Sequence, residues 1–170
     1  MKKYEFTGET KQINLLFRTA TLHRIRAVVE FGLVKIGDLG GWIEKEENLS
    51  HDGKAWVWGN AEVCGDAEVW GNAKVWGNAE VWGNAEVFSA SHVLVIGAIG
   101  SRNDFTTFFR DKDGEITVKC GCFLGKIDRF LEKVTLTHGN SKYALVYRAA
   151  VEVAKLQIDL TGEAPEMDEE

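Results

Sequence analysis

The stretch AWVWGN-AEVCGD-AEVWGN-AKVWGN-AEVWGN-AEVFSA, residues 55–90, repeats every six residues. Ala recurs at 55, 61, 67, 73, 79 and 85, and Val at 57, 63, 69, 75, 81 and 87. Gly follows at 59, 65, 71, 77 and 83. The first four positions of each hexad alternate as a strand does, with Ala and Val on one side and the Glu and Trp positions on the other. The Gly-Asn or Gly-Asp pair permits positive φ and turns the chain. A strand of about four residues with a turn after it is too short for hairpin pairing, but it stacks on an equivalent strand further along the chain. Backward, Ile43, Leu49 and Gly53 sit in phase; forward, Ser91 and Val93 do.

This pattern resembles the hexapeptide-repeat family, whose left-handed parallel β-helix makes a triangular coil from three hexads, about 18 residues. The resemblance implies a mainly β fold. A left-handed β-helix over 43–96 follows an N-terminal β cap, 1–42, and precedes a small C-terminal α+β module, 97–160, of β-β-α-α order, then a disordered acidic tail, 161–170. Residues 18 apart then lie about 4.8 Å from one another. Trp58 is expected on Trp76, Cys64 on Trp82 and Trp70 on Phe88. Trp56, Lys74 and His92 form a further column, and Glu62/Glu80 and Glu68/Glu86 two more. Like charges in those Glu columns call for solvent, a cation or a metal. Outward indoles on every side leave too much apolar surface for a lone chain. Trp58, Trp70, Trp76, Trp82 and Phe88 are therefore expected at an interface between copies, with a trimer as the favoured assembly. Cover by a terminal segment and a pocket for a planar ligand are the alternatives.

The flanks read differently. In LHRIRAVVEF, 22–31, Ile25, Ala27, Val29 and Phe31 share one face, as in a half-buried strand paired with KKYEF or NLLFR over the first coil. GDLGGWIE, 37–44, reads as the turn feeding that coil. FTTFFR and ITVKCGCF flank DKDGE, an Asp-Gly hairpin signal. KIDRFLEKV carries helical spacing at Ile127, Phe130, Leu131 and Val134. A second helix follows through Tyr143, Val146, Tyr147, Ala150, Val151, Ala154 and Ile158.

The 170 residues carry a formal net charge of −6, which argues against duplex nucleic-acid binding, since phosphate contacts need a basic surface. Three cysteines are too few for a disulfide scaffold and point to a reducing, cytoplasmic setting. No apolar stretch is long enough to span a membrane. Cys120 and Cys122, expected on one face of a strand, read as buried thiols and not as metal ligands. No cofactor is expected.

Two places invite chemistry. A hexapeptide-repeat acyltransferase needs an accessible His as general base, and His92 is the candidate. Alternatively, Ser101, Arg102, Asn103, Thr106, Thr107 and Lys119 offer hydroxyl, amide and cationic groups suited to a phosphate. Arg24 and Arg26 belong to the most basic segment, and Gly125-Lys126 stands at a helix start, where free amides attract anions.

With LHRIRAV, GDLGGWIEKEENLSHDGKAWV, IGSRNDFTTFF and VKCGCFLGKIDRFLEKV in view, nearly the whole chain resembles phage- and prophage-encoded hexapeptide-repeat proteins of Firmicutes. Trp dominates the coils here where Tyr or Ser is common in that family. The resemblance implies an accessory phage protein acting in an infected cell. By analogy with other such proteins, it implies a non-enzymatic oligomer that sequesters a small phosphorylated, nucleotide-derived signal to counter host defence. A structural or protein-interaction module is a further possibility.

Overall fold

The computed structural model describes residues 1–163. Two long strands, β1 (Tyr4–Asn14) and β2 (Thr19–Ala27), form an antiparallel hairpin, and β3 (Leu39–Ile43) pairs antiparallel with β2. Each hexad then contributes a two-residue strand: β4 (Trp56–Val57), β5 (Glu62–Val63), β6 (Glu68–Val69), β7 (Lys74–Val75), β8 (Glu80–Val81) and β9 (Glu86–Val87). These pair in parallel at the expected spacing, Trp56 with Lys74, Glu62 with Glu80 and Glu68 with Glu86. The chain ends in β10 (Val93–Ile99), β11 (Asp104–Arg110), β12 (Ile116–Cys120), β13 (Phe123–Lys126), α1 (Ile127–His138) and α2 (Lys142–Gln157).

This corrects the expected left-handed β-helix. The structure is a set of mixed sheets with two C-terminal helices. One five-stranded sheet runs β1-β2-β3-β5-β8, two parallel sheets have two strands each (β4-β7 and β6-β9), and a four-stranded antiparallel sheet runs β10-β11-β12-β13. The physical reason lies in the repeat count. Six hexads shared among three columns place only two rungs in each, so most sheet comes from the flanks. The presumed β cap is continuous with the β5-β8 column through the parallel pair Trp42–Glu62. The C-terminal module has four strands before its helices, not two.

The inward reading of the hexads holds. The Ala and Val at the first and third positions of every hexad are at most 1% exposed, and the corner glycines 59, 65, 71, 77 and 83 take φ between +58° and +72°. The backward phase holds for Gly53, which sits over Gly71 with φ +67°, but not for Ile43 and Leu49. Ile43 lies beside Val63 and Leu49 beside Val69, a spacing of 20, whereas Lys54 donates to the Gly71 carbonyl. The corner at His51–Asp52 absorbs the two extra residues. His51 accepts the Lys3 amide at 3.1 Å and stacks on Tyr4 at 4.3 Å.

Both ends of the hexad core are closed. At the first, Tyr4, Phe31 and Trp56 pack edge to face, and the buried Lys3 donates to Ala55 O at 2.9 Å. GDLGG is not merely a turn: Gly40 lies within β3, where a Cβ would stand 2.6 Å from Ile25 and 2.7 Å from Trp56. In β2 the buried set is Ala20 and Leu22, then Ile25 and Ala27; the parity changes where the sheet register shifts. At the other end, β10 and β11 separate two cores. Phe109, Val93 and Val95 face the hexads, while Phe108, Leu94 and Ile96 face α1 and α2. Asp113-Gly114 turns the β11–β12 hairpin with Gly114 at φ +70°, as DKDGE indicates. The expected acidic tail falls mostly on residues 164–170, outside the described residues; before them, Gly162 O accepts from Arg110 at 2.7 Å.

Candidate functional site

An open cleft of about 1590 Å³ lies between the β1–β2 hairpin tip, the Cys64/Trp82 column and α1. Its position follows from local sequence. Leu15–Arg18 form the tight tip between two long strands, with Leu15 N donating to Arg18 O at 2.8 Å. Leu16 and Phe17 there are 82% and 94% exposed. The opposite wall is the polar side of α1, carrying Arg129, Glu132, Lys133 and Leu136, and the floor is Trp82, buried with Cys64 and Leu22.

Lys119 is the central cation. Its side chain is 5% exposed, and Nζ sits 4.1 Å from the Trp82 ring centre. That ammonium donates to Gly121 O and pairs with Glu80 Oε2 at 3.1 Å. A cation on an indole face with a carboxylate beside it tolerates burial that an isolated ammonium does not. Glu80 is held above the usual carboxylate range by burial; Lys119 opposes that, and Glu62 and Asp104 add to it. Glu62, in register beside Glu80, is paired with Lys11 at 2.8 Å. In the other Glu column, Glu68 pairs with Lys112 at 2.8 Å. Both columns are thus relieved by lysines of the same chain.

Arg102 reaches the cleft across the β12–β13 turn. Gly121 has φ +55°, and a Cβ there would come within 2.5 Å of Arg102 Nη1, so glycine lets the guanidinium lie against the turn. Arg18 is bound to Glu44 through both nitrogens, and Glu44 in turn accepts Gly65 N at 2.7 Å. Arg129 stands 3.9 Å from Glu132. Among the described residues, Arg102 and Lys133 have no carboxylate within 4.0 Å, and Lys133 lies 5.8 Å from the Phe123 ring centre. Burial pushes the Cys64 thiol up to about 12, so it is neutral at ordinary pH.

Of the anticipated phosphate ligands, the structure brings Arg102 and Lys119 to the cleft and no others. Arg24 and Arg26 sit on the hairpin beside Glu9 (3.8 Å) and Glu5, and Arg24 lies over Trp42. Ser101 and Asn103 occupy the turn before β11 and do not line the cleft. Thr106 and Thr107 are each 1% exposed; Thr106 donates to Cys120 Sγ at 3.4 Å, and Thr107 Oγ1 accepts Glu80 N at 3.0 Å. The Thr107 hydroxyl completes the packing of β11 on the hexads, while that of Thr106 lies on the other face, against β12. The start of α1 is no anion site, because Lys126 there is surrounded by Asp111, Asp113 and Glu115 at 2.7, 2.8 and 3.0 Å. Cys122 is exposed in the β12–β13 turn rather than buried in a strand.

His92 does not have the access a general base needs. It is 1% exposed, its Nδ1 accepts Phe88 N at 3.3 Å, and burial lowers its pKa. The aromatic columns form as spaced: Trp58 stacks on Trp76 at 4.8 Å and 9°, and Trp70 on Phe88 at 4.9 Å. Two of their members are covered within the chain, however. Trp82 lies under Lys119 and the hairpin, and Phe88 lies against His92 and Arg110. Trp76 remains 48% exposed.

Arg18, part of the basic N-terminal segment read as a possible anion site, does line the cleft; sequence reasoning missed Arg129 and Lys133. Arg129 and Lys133 are four apart on α1, which puts them on one face, a signal available from helical spacing alone. For Arg18 the basic composition of its segment was the signal, and the hairpin pairing is what carries it, and not Arg24 or Arg26, to the cleft. Among the described residues there is no group of three metal-ligating side chains and no helix long and apolar enough to cross a membrane. No family model and no curated protein matches this chain.

Proposed function

We propose that the protein binds, and does not turn over, a small phosphorylated, nucleotide-derived ligand in the cleft between the hairpin tip and α1. The observation that carries the reading is the pair of cations without carboxylate partners, Arg102 and Lys133, flanking the buried Lys119. The cleft wall holds five cations (Arg18, Arg102, Lys119, Arg129, Lys133) against four carboxylates (Asp66, Glu80, Asp104, Glu132) in a chain whose net charge is −6. Arginine and lysine at a concave, partly apolar surface suit phosphate oxygens. Phe17 offers a face for a planar base; the Trp82 and Phe123 rings already carry Lys119 and Lys133. Acyl transfer from a His92 base finds no support in so buried an imidazole.

The wider reading belongs to the same proposal: a phage accessory protein that sequesters a host signal in the cytoplasm of an infected cell. Copies would associate through the Trp58–Trp76 column, with a trimer as the favoured assembly. Exposed Leu16, Phe17 and Leu136 favour, as a second reading, a polypeptide partner at the same cleft. One experiment separates them. Purified protein is incubated with lysate of a phage-challenged host, washed and denatured, and the released material is analysed by mass spectrometry. A phosphorylated small molecule lost in Arg102→Ala supports the binding role. Retention unchanged in that variant, or a polypeptide alone, refutes it.

A further inference from the structure

Lys119 is the most buried cation of the cleft, yet its ammonium is not free: Glu80 Oε2 stands 3.1 Å away. Glu80 is an uncomfortable neighbour for itself. Parallel pairing sets it beside Glu62, and the two line a pocket of about 350 Å³ together with Asp104, Lys11, Asn60, Asn78 and Phe105. The charged groups facing Glu80 come from four strands: Glu62 on β5, Asp104 on β11, Lys11 on β1 by way of Glu62, and Lys119 on β12. Lys11 is held by Glu62 at 2.8 Å and leans on Trp42 at 4.6 Å, so Lys119 is the cation that favours the charged form of Glu80 against its burial. The Glu80 carboxylate also lines the large cleft, so it sits on the border between the two cavities.

We propose that Glu80 is a built-in competitor for Lys119, displaced when a phosphate group enters the cleft, and that the displaced carboxylate takes up one proton from solvent. The inference rests on the cleft reading given above and deepens it. Lys119 exchanges one anion for another, so its burial is never left uncompensated. Glu80, released among Glu62 and Asp104 in a half-buried place, has no other cation to take and is neutralised. Burial already holds this carboxyl above the usual range while Lys119 is beside it. Capture of a phosphorylated ligand is therefore linked to proton uptake and strengthens as pH falls.

The test uses sulfate, a tetrahedral dianion that does not itself titrate between pH 5 and 8, on the whole protein. Calorimetry in two buffers of different ionisation heat reads proton uptake directly and needs no variant. The expected result is proton uptake of up to one per sulfate bound, with affinity weakening by up to tenfold per pH unit across the range where Glu80 is ionised before binding and protonated after it. In Glu80→Gln, whose melting temperature falls with the loss of the buried ion pair but which a cooperative melt shows to be folded, the proton uptake vanishes and affinity no longer follows pH in that range. Sulfate binding that needs Arg102 but carries no proton uptake overturns this inference and leaves the cleft reading in place. No sulfate binding at any pH overturns both.

Discussion

Asn48 ties the first turn to the hexads, and removing it tests how the stack is anchored. The residue is fully buried at the end of a short 3₁₀ turn, Glu46–Asn48. Its Oδ1 accepts Glu44 N at 3.1 Å and Lys45 N at 2.9 Å, while Nδ2 donates to Gly65 O at 3.1 Å and Ala67 O at 2.9 Å. Two donors on one side and two acceptors on the other fix the orientation of the amide. Asn48→Ala removes all four bonds. Each is worth roughly 1 kcal/mol net, and water can reach the amides of Glu44 and Lys45 but not easily the Ala67 carbonyl, so the expected loss is about 3 kcal/mol. For a chain of this size that lowers Tm by roughly 6–12 °C. Asn48→Asp is the sharper probe. At neutral pH it sets a carboxylate oxygen against two carbonyls, costing more than Ala, and protonation at low pH restores one donor. Urea unfolding and thermal melts at pH 7 and pH 4 measure both. A loss below about 1 kcal/mol in the Ala variant, or an Asp variant as stable as the parent at pH 7, refutes the anchoring role.

Three further outcomes are expected. Arg102→Ala combined with Lys133→Ala abolishes sulfate and nucleotide retention with Tm unchanged within error, since both side chains are exposed and unpaired; equilibrium dialysis checks it. His92→Ala lowers stability by about 2–4 kcal/mol, through lost packing on Phe88 and an unpaired amide, and leaves ligand binding intact; urea unfolding beside a binding assay separates the two. Acid stability follows the carboxylates. The Arg18 hydrogen bonds hold Glu44 below its ordinary range; burial presses Asp111 upward, but Lys126, Thr117 and the Glu115 and Asp113 amides hold it below. Stability from such groups is fully present above their unfolded pKa values, about pH 4, and drains as pH falls through the folded values. The Tm gap between parent and Asp111→Asn, read by thermal melts, therefore narrows from pH 7 to pH 3; a constant gap counts against the network.

The hexads announced their own burial because period-2 patterning and period-6 turns are strictly local. Which residues stack was therefore legible: Trp58 on Trp76 and Trp70 on Phe88 follow from spacing alone. What the repeat did not disclose is how little of the sheet it makes. Two rungs per column cannot close their own ends. The closing is done by Tyr4, Trp56 and Phe31 on one side and by β10–β11 on the other, through contacts that span 27 residues from Glu80 to Thr107. Those same long-range contacts turned Thr106 and Thr107 from candidate ligands into packing groups. The sequence FTTFF shows four successive buried positions only once the strand is known to have a core on each face.

The candidate site follows the same rule. Arg102 and Lys119 were readable as polar groups near a turn, but their meeting depends on Gly121, whose positive φ turns β12 into β13 beneath the guanidinium. A side chain at that position would push Arg102 away and strain the turn whose Gly121 carbonyl accepts from Lys119. The cleft thus divides into an exposed cation set by a turn glycine and a buried cation set by the hexad stack. An anion that needed only the first would bind at any surface arginine, whereas one that needs both must displace Glu80. Under the proposed binding role, that requirement would let an acidic chain discriminate among anions instead of merely attracting them.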